Sequence, residues 1–184
     1  MYISTKNNRK PKIFLLIGGC FNGKSLWAKK LALKYNAEII SKPDIRKILT
    51  IKHKGNPPTG KEIYTTLLTM IATYVAHNQN IVIDGTFITE KQRGKVLKIL
   101  YSLTDFQEYC NSPANLKHQI NSINFLNYQI IGVYIKPNLR LAKKKNRTCN
   151  YPLSPYSLDK QYQQLQKPYL DEGFHKIIKK KPQK

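Results

Sequence analysis

The chain has 184 residues, 41% of them hydrophobic, and a formal net charge of +22. That length is enough for one domain with a proper core, but no apolar run approaches the ~18 residues of a membrane span. The three cysteines, Cys20, Cys110 and Cys149, are an odd number without metal-ligand spacing, which suits reduced thiols.

The charge itself has two readings. It suits a polyanionic partner such as nucleic acid. It also fits lysine bias, because 27 of the 32 basic residues are lysines. The shortage of acids is more informative: only Asp44, Asp84, Asp105, Asp159 and Asp171 are aspartates, so few groups can serve as a base or a metal ligand. Residues 1–12 are polar and basic and lack the apolar stretch of a secretory signal. With the unpaired cysteines, this predicts a reducing, cytoplasmic setting.

Residues 1–11 read as a basic arm and Lys12–Ile17 as a buried strand. Gly18-Gly19-Cys20-Phe21-Asn22-Gly23-Lys24-Ser25 then spells G-x-x-x-x-G-K-S, the phosphate-binding P-loop pattern, between that strand and a helix predicted over 25–36. Gly18 and Gly23 free the backbone, so that loop amides and the helix N-terminus can face an anion. Lys24 reaches the β- and γ-phosphates, and the Ser25 hydroxyl ligates Mg²⁺. A short strand over 38–41 follows. Strand, helix and strand in this order predict a right-handed crossover and a parallel sheet.

Past that second strand, on the ligand side of an open α/β sheet, lie Asp44 and Arg46. They read as a carboxylate for an attacking hydroxyl and a guanidinium for a substrate phosphate. The alternative is an N-cap aspartate and a surface arginine on a helix over 45–49. Residues 53–60 read as a loop, and 61–78 as a helix with an apolar stripe. The strand over 80–86 ends in Asp84, which either holds Mg²⁺, directly or through water, or hydrogen-bonds the P-loop serine; a plain Asp-Gly turn is the alternative. A helix over 89–103 carries Arg93, facing substrate or solvent, with Thr86 or Thr89 as its cap. Residues 104–127 read as an insertion. A strand over 128–136 precedes the helix 139–147 with its basic end. That helix is either a lid that brings Arg147 to the transferred group or a solvated charge run. A helix over 156–167, a last strand over 174–179 and a basic tail complete the chain. The scattered histidines form no metal pattern.

Four stretches in order give the chain a family likeness: GGCFNGKSLWA (18–28), SKPDIR (41–46), IDGTFITEKQR (83–93), and AKKKNR (142–147) followed by Pro155, Ser157, Gln161 and Tyr162. Together with EGFHKII (172–178), they resemble the polynucleotide kinase branch of the P-loop kinases over roughly 12–179. The resemblance implies a P-loop NTPase fold. Its five-stranded parallel sheet would be ordered 2-3-1-4-5 and flanked by helices, with a basic lid. It implies transfer of the γ-phosphoryl group of ATP, with Mg²⁺, to a hydroxyl, most often the 5′-OH of DNA or RNA. Gly18 to Ser25 and Arg140 would then hold the nucleotide, with Lys24, Asp44 and Arg147 catalytic. Arg46, Asp84, Thr86 and Arg93 would stand on the acceptor side. Two departures bear on this. Pro43 occupies the position of the family's usual base, one residue before Asp44. Lys145 and Cys149 stand where the lid arginines are expected, and lysine lacks arginine's fork. A small-molecule hydroxyl as acceptor, or an ATP-switched nucleic-acid-binding protein without transferase activity, are the competing expectations.

Overall fold

The computed structural model describes residues 10–101 and 128–183. The expected insertion at 104–127 and most of the N-terminal arm lie outside the described residues. Five strands form one parallel sheet: β1 (Lys12–Ile17), β2 (Ala37–Ser41), β3 (Asn80–Asp84), β4 (Gln129–Ile135) and β5 (Lys176–Lys180). Their order is β2-β3-β1-β4-β5, as the family likeness implied. The helices are α1 (Lys24–Tyr35), α2 (Lys42–Lys52), α3 (Gly60–Ala76), α4 (Glu90–Tyr101), α5 (Leu139–Arg147) and α6 (Pro155–Gln163), and a 3₁₀ turn (Leu170–Glu172) precedes β5.

β1 is continuously apolar because it is covered on both faces, as the centre of a parallel sheet must be. Ile13, Leu15 and Ile17 point into a core built with Leu67, Ile71, Val96 and Leu100 of α3 and α4. Phe14 and Leu16 point the other way, against Ala28 and Leu31 of α1. The alternation follows from the two-residue period of a strand. All the strands run parallel, so the carboxyl ends of β1, β2, β3 and β4 share one rim. The P-loop, the start of α2 and the segment after Asp84 all leave from that rim.

Several boundaries differ from the sequence reading for physical reasons. α2 starts at Lys42, three residues early, because the Ser41 hydroxyl accepts the Asp44 backbone N–H. Ser41 is thus the N-cap, and Asp44 occupies the first turn. α3 starts on a capping box: Thr59 Oγ1 accepts from Glu62 N at 3.2 Å, while Thr59 N donates to Glu62 Oε2 at 2.7 Å. The backbone N–H of Thr59 is the main reason the Glu62 carboxyl titrates below its ordinary range. α6 stops at Gln163, and the chain then runs back so that Gln166 N donates to the Ile88 carbonyl.

Arg93 is a correction to the sequence reading. It faces neither substrate nor solvent: its side chain is completely buried. Nε and Nη2 fork onto the Glu172 carboxylate at 2.6 and 2.7 Å. Nη1 reaches the carbonyls of Phe87, Ile88 and Gln166. The pair therefore fastens α4 to the turn that launches β5. Removing one partner of a buried pair leaves the other charge uncompensated. We expect Arg93→Met to destabilise the fold by about 3–5 kcal/mol in urea unfolding. A loss below about 1 kcal/mol would show that the ion pair is not holding β5 in place.

Candidate active site at the P-loop

The P-loop leaves β1 and enters α1 through Gly23, whose φ of 82° lies in the left-handed region. Only glycine takes that conformation at little cost. The turn leaves α1 with no side-chain hydrogen bond at its N-cap and no acid in its first turn. The first amides of a helix need partners, and here they are left for an anion. Phe21 also sits at a positive φ of 58°. For a bulky residue this is uncommon and costs on the order of 1–2 kcal/mol.

Lys24 is buried beside these amides, and its ammonium donates to the Gly19 carbonyl at 2.7 Å. Burial pushes its pKa below the ordinary lysine range, against the opposing pull of Cys20 and Asp84. The amine is thus desolvated and stretched across its own loop. An incoming phosphate offers it a stronger, charge-assisted partner than one carbonyl. Asp84 is buried at the end of β3, and its charge is felt at Lys24. Ser25 is exposed in the first turn of α1. Among the described residues no three His, Cys, Asp or Glu side chains converge as metal ligands. The Ser25 hydroxyl and the Asp84 carboxylate are hard oxygen donors, the type that Mg²⁺ takes.

Two residues of α6 brace the loop. Cys20 N donates to Gln161 Oε1 at 2.7 Å, and Tyr162 donates its phenol to the Cys20 carbonyl at 2.8 Å. The Tyr162 ring lies so close to Gly19 that a Cβ there would come within 2.6 Å of it. Burial raises the Tyr162 pKa, and the Cys20 thiol adds to the effect. On the other side, the fully buried Asn22 donates from Nδ2 to the carbonyls of Ile135 and Lys136 at the end of β4. Cys20 Sγ lies 3.8 Å from Thr86 Oγ1, linking the loop to the segment after β3.

The lid segment forms α5. Arg140 and Arg147 are both exposed. With Lys143, Lys144 and Lys145 they line an open groove of about 1250 Å³. Lys143 pairs with Asp159 of α6 at 2.8 Å. Asn146 is buried and clamps the following loop, donating to Leu153 O and accepting from Leu153 N, both at 2.8 Å. Lys145, at the expected arginine position, donates to the Gln183 carbonyl at 2.9 Å. Gln183 belongs to the tail, for which the sequence predicts only a basic end. The tail folds back over α1 instead. Trp27 Nε1 donates to the Lys181 carbonyl, and Gln183 packs onto Gly23, where a Cβ would meet it at 2.8 Å. No signal in the tail's composition announces this docking. Gln161 and Tyr162, by contrast, stand in the family-like stretch.

Asp44 and Arg46 are both exposed on the first turns of α2. Pro43 precedes Asp44 without kinking the helix, because it occupies the first turn where no hydrogen bond is lost. Arg93 is absent from this group.

The bracing by α6 is testable. Tyr162→Phe removes one hydrogen bond worth roughly 0.5–1.5 kcal/mol. It should weaken ATP binding about two- to tenfold in calorimetric titration while the fold persists. Unchanged affinity would mean the phenol braces nothing that the nucleotide uses.

Comparison with known proteins agrees with this geometry. A family model described as an AAA domain (AAA_33) matches residues 13–120, more than half of the chain. No curated protein is significantly similar in sequence. Among solved structures, a gluconokinase from Sinorhizobium meliloti is similar with a TM-score of 0.54 at 15% identity, covering 96% of this chain and 85% of that one. A sugar kinase from Janibacter sp. is similar with a TM-score of 0.54 at 11% identity, covering 93% and 85%. A chain of the Pnkp1/Rnl/Hen1 RNA repair complex is similar with a TM-score of 0.58 at 17% identity; 88% of this chain spans 47% of that one. At such identities these are likenesses of fold. The P-loop, the sheet order and the family match carry one conclusion: the chain belongs to the AAA domain family AAA_33 and has the P-loop kinase fold.

Proposed function

We propose that the chain is an ATP- and Mg²⁺-dependent phosphotransferase of the cytoplasm that moves the γ-phosphoryl group to the 5′-hydroxyl of a DNA or RNA end. The observation that carries this reading is the uncapped N-terminus of α1 with the buried Lys24 ammonium beside it. It is a preformed cradle for a polyphosphate.

In this reading Lys24 exchanges the Gly19 carbonyl for oxygens of the β- and γ-phosphates, and the backbone N–H groups of Gly19 and of Phe21 to Ser25 donate to them, the Cys20 amide staying with Gln161. Ser25 and Asp84 would hold Mg²⁺, which when bound draws charge off the phosphate oxygens. Asp44 takes the proton of the attacking hydroxyl as its oxygen bonds to the γ-phosphorus and the bond to the β-phosphate oxygen breaks. Arg46 holds an acceptor phosphate, with Thr86 beside it. Arg147 swings to the transferring group, and Arg140 lies along the nucleotide. Among the described residues no helix is long and apolar enough to cross a membrane. The net charge of +22 favours an acceptor with several phosphates.

A second reading keeps the chemistry and takes a small-molecule hydroxyl. Pro43, at the usual base position, favours it, as do the fold likenesses to a gluconokinase and a sugar kinase. Labelled γ-phosphate transfer to a 5′-hydroxyl oligonucleotide separates the two. The account predicts label on the free 5′ end, none on a 5′-phosphorylated control, and loss by orders of magnitude in Lys24→Ala. Acceptor affinity should fall steeply with salt as counterions are released. Label on gluconate or another small polyol, with none on the oligonucleotide, would establish the second reading.

The role of Asp44 is tested against Asp171, an exposed aspartate on the 3₁₀ turn. Asp44→Asn should slow transfer at least about tenfold more than Asp171→Asn, within the range of general-base contributions. Equal effects would reduce Asp44 to a helix-terminal charge.

A further inference from the structure

Lys42 is the residue on the acceptor side that neither the motif nor the family likeness singles out. It follows Ser41, whose Cα pairs with Asp84 in the β2–β3 ladder. Its stem therefore starts level with Gly85, at the sheet rim and about two strand spacings, roughly 10 Å, from β1 and the P-loop. The stem lies directly on Gly85. A Cβ there would meet Lys42 Cδ at 2.8 Å and the Phe87 ring at 2.8 Å. The glycine after Asp84 is thus required by close approach.

The Lys42 ammonium sits 5.0 Å from the Phe87 ring centre and 5.2 Å from that of Tyr64. Phe87 is buried in the main core. Among the described residues no carboxylate, carbonyl or hydroxyl meets this amine; the two rings are its partners. Burial, with Arg46 second, pushes its pKa below the ordinary lysine range. Arg46 stands four residues on, on the same face of α2, where two like charges repel. A methionine or leucine would cover the same rings without placing a half-buried charge beside a second cation. An anion brought between the two cations removes that penalty.

We propose that Lys42, held in its aromatic cage and paired with Arg46, is an anion site of the acceptor cleft that selects acceptors carrying a phosphate beside the reacting hydroxyl over neutral ones. This rests on the kinase reading of the same cleft. The two cations match the double charge of a phosphate monoester, and Lys42 acts as a point charge while Arg46 supplies the planar fork. The diester beside a nucleic-acid 5′ end brings one negative charge and the monoester of a phosphorylated sugar brings two, and both present phosphate oxygens for this pair to hold.

The test is equilibrium binding, independent of turnover. Thymidine 3′-monophosphate, glucose 6-phosphate and thymidine are each titrated into the full chain saturated with Mg·ADP, in wild type, Lys42→Met and Lys42→Arg. ATP affinity is measured on each protein alone. Lys42→Met keeps the stem on Gly85 and between the rings. Wild type should prefer thymidine 3′-monophosphate over thymidine by about tenfold or more, as expected for contacts to a charged group. Lys42→Met should lose most of that preference, with ATP affinity within about twofold of wild type, and Lys42→Arg should retain it. Preference for glucose 6-phosphate over thymidine 3′-monophosphate, abolished in Lys42→Met, supports the site and assigns it to a sugar phosphate. An undiminished phosphate preference in Lys42→Met overturns the inference. If Lys42→Met fails to fold, Lys42→Gln removes the charge and reads the same difference. Failure of wild type to bind ATP would be failure of the kinase reading, which is separate from a phosphate preference that ignores Lys42.

Discussion

An uncapped helix N-terminus beside a desolvated ammonium is unstable by itself, and the architecture around the P-loop answers that instability. The first amides of α1 have no side-chain acceptor, and Lys24 has one loop carbonyl for its charge. The ammonium would be better satisfied in water, and burial keeps it from that solvent. The loop is held open from two sides. Asn22 ties it to the end of β4, and Gln161 with Tyr162 ties its other limb to α6. Such a site carries the cost of burying polar groups in advance, so a polyphosphate meets donors that need no rearrangement beyond Lys24 itself.

The outer parts of the molecule serve the same frame at a distance. The buried Arg93–Glu172 pair sets the turn before β5. β5 delivers the tail, and the tail carbonyls meet Trp27 of α1 and Lys145 of α5. The lid helix is thereby tied to the nucleotide-binding helix through a segment from the far edge of the sheet. Arg140 and Arg147 stay exposed on α5. The segment after Asp84 brings Gly85 and Phe87 against Lys42 at the start of α2.

Much of this was legible in the chain. The apolar run before G-x-x-x-x-G-K-S could only be a doubly covered strand, and the succession of strands and helices left a parallel sheet as the arrangement. Its order, 2-3-1-4-5, came from the family likeness. What could not be read were partnerships between distant segments. Arg93 looked like a cation near a site because a sequence does not show that Glu172, seventy-nine positions away, lies opposite it. Ser41 outcompeted Asp44 as the cap of α2 because the chain leaves β2 with Ser41 still extended. The docking of the tail depends on carbonyl groups, which every residue has. Lys42 was lost among 27 lysines. Its distinction lies in the two rings beneath it, one from α3 and one from the segment after β3.

The central claim is that the α1 N-terminus and Lys24 together hold the distal phosphates of a nucleotide. Affinity for ATP, ADP and AMP, each with Mg²⁺, tests it most directly by calorimetric titration. The account predicts that affinity falls at each phosphate removed, and that Lys24→Ala weakens ATP far more than AMP. Equal affinity for the three nucleotides, or an equal effect of Lys24→Ala on ATP and AMP, would contradict it.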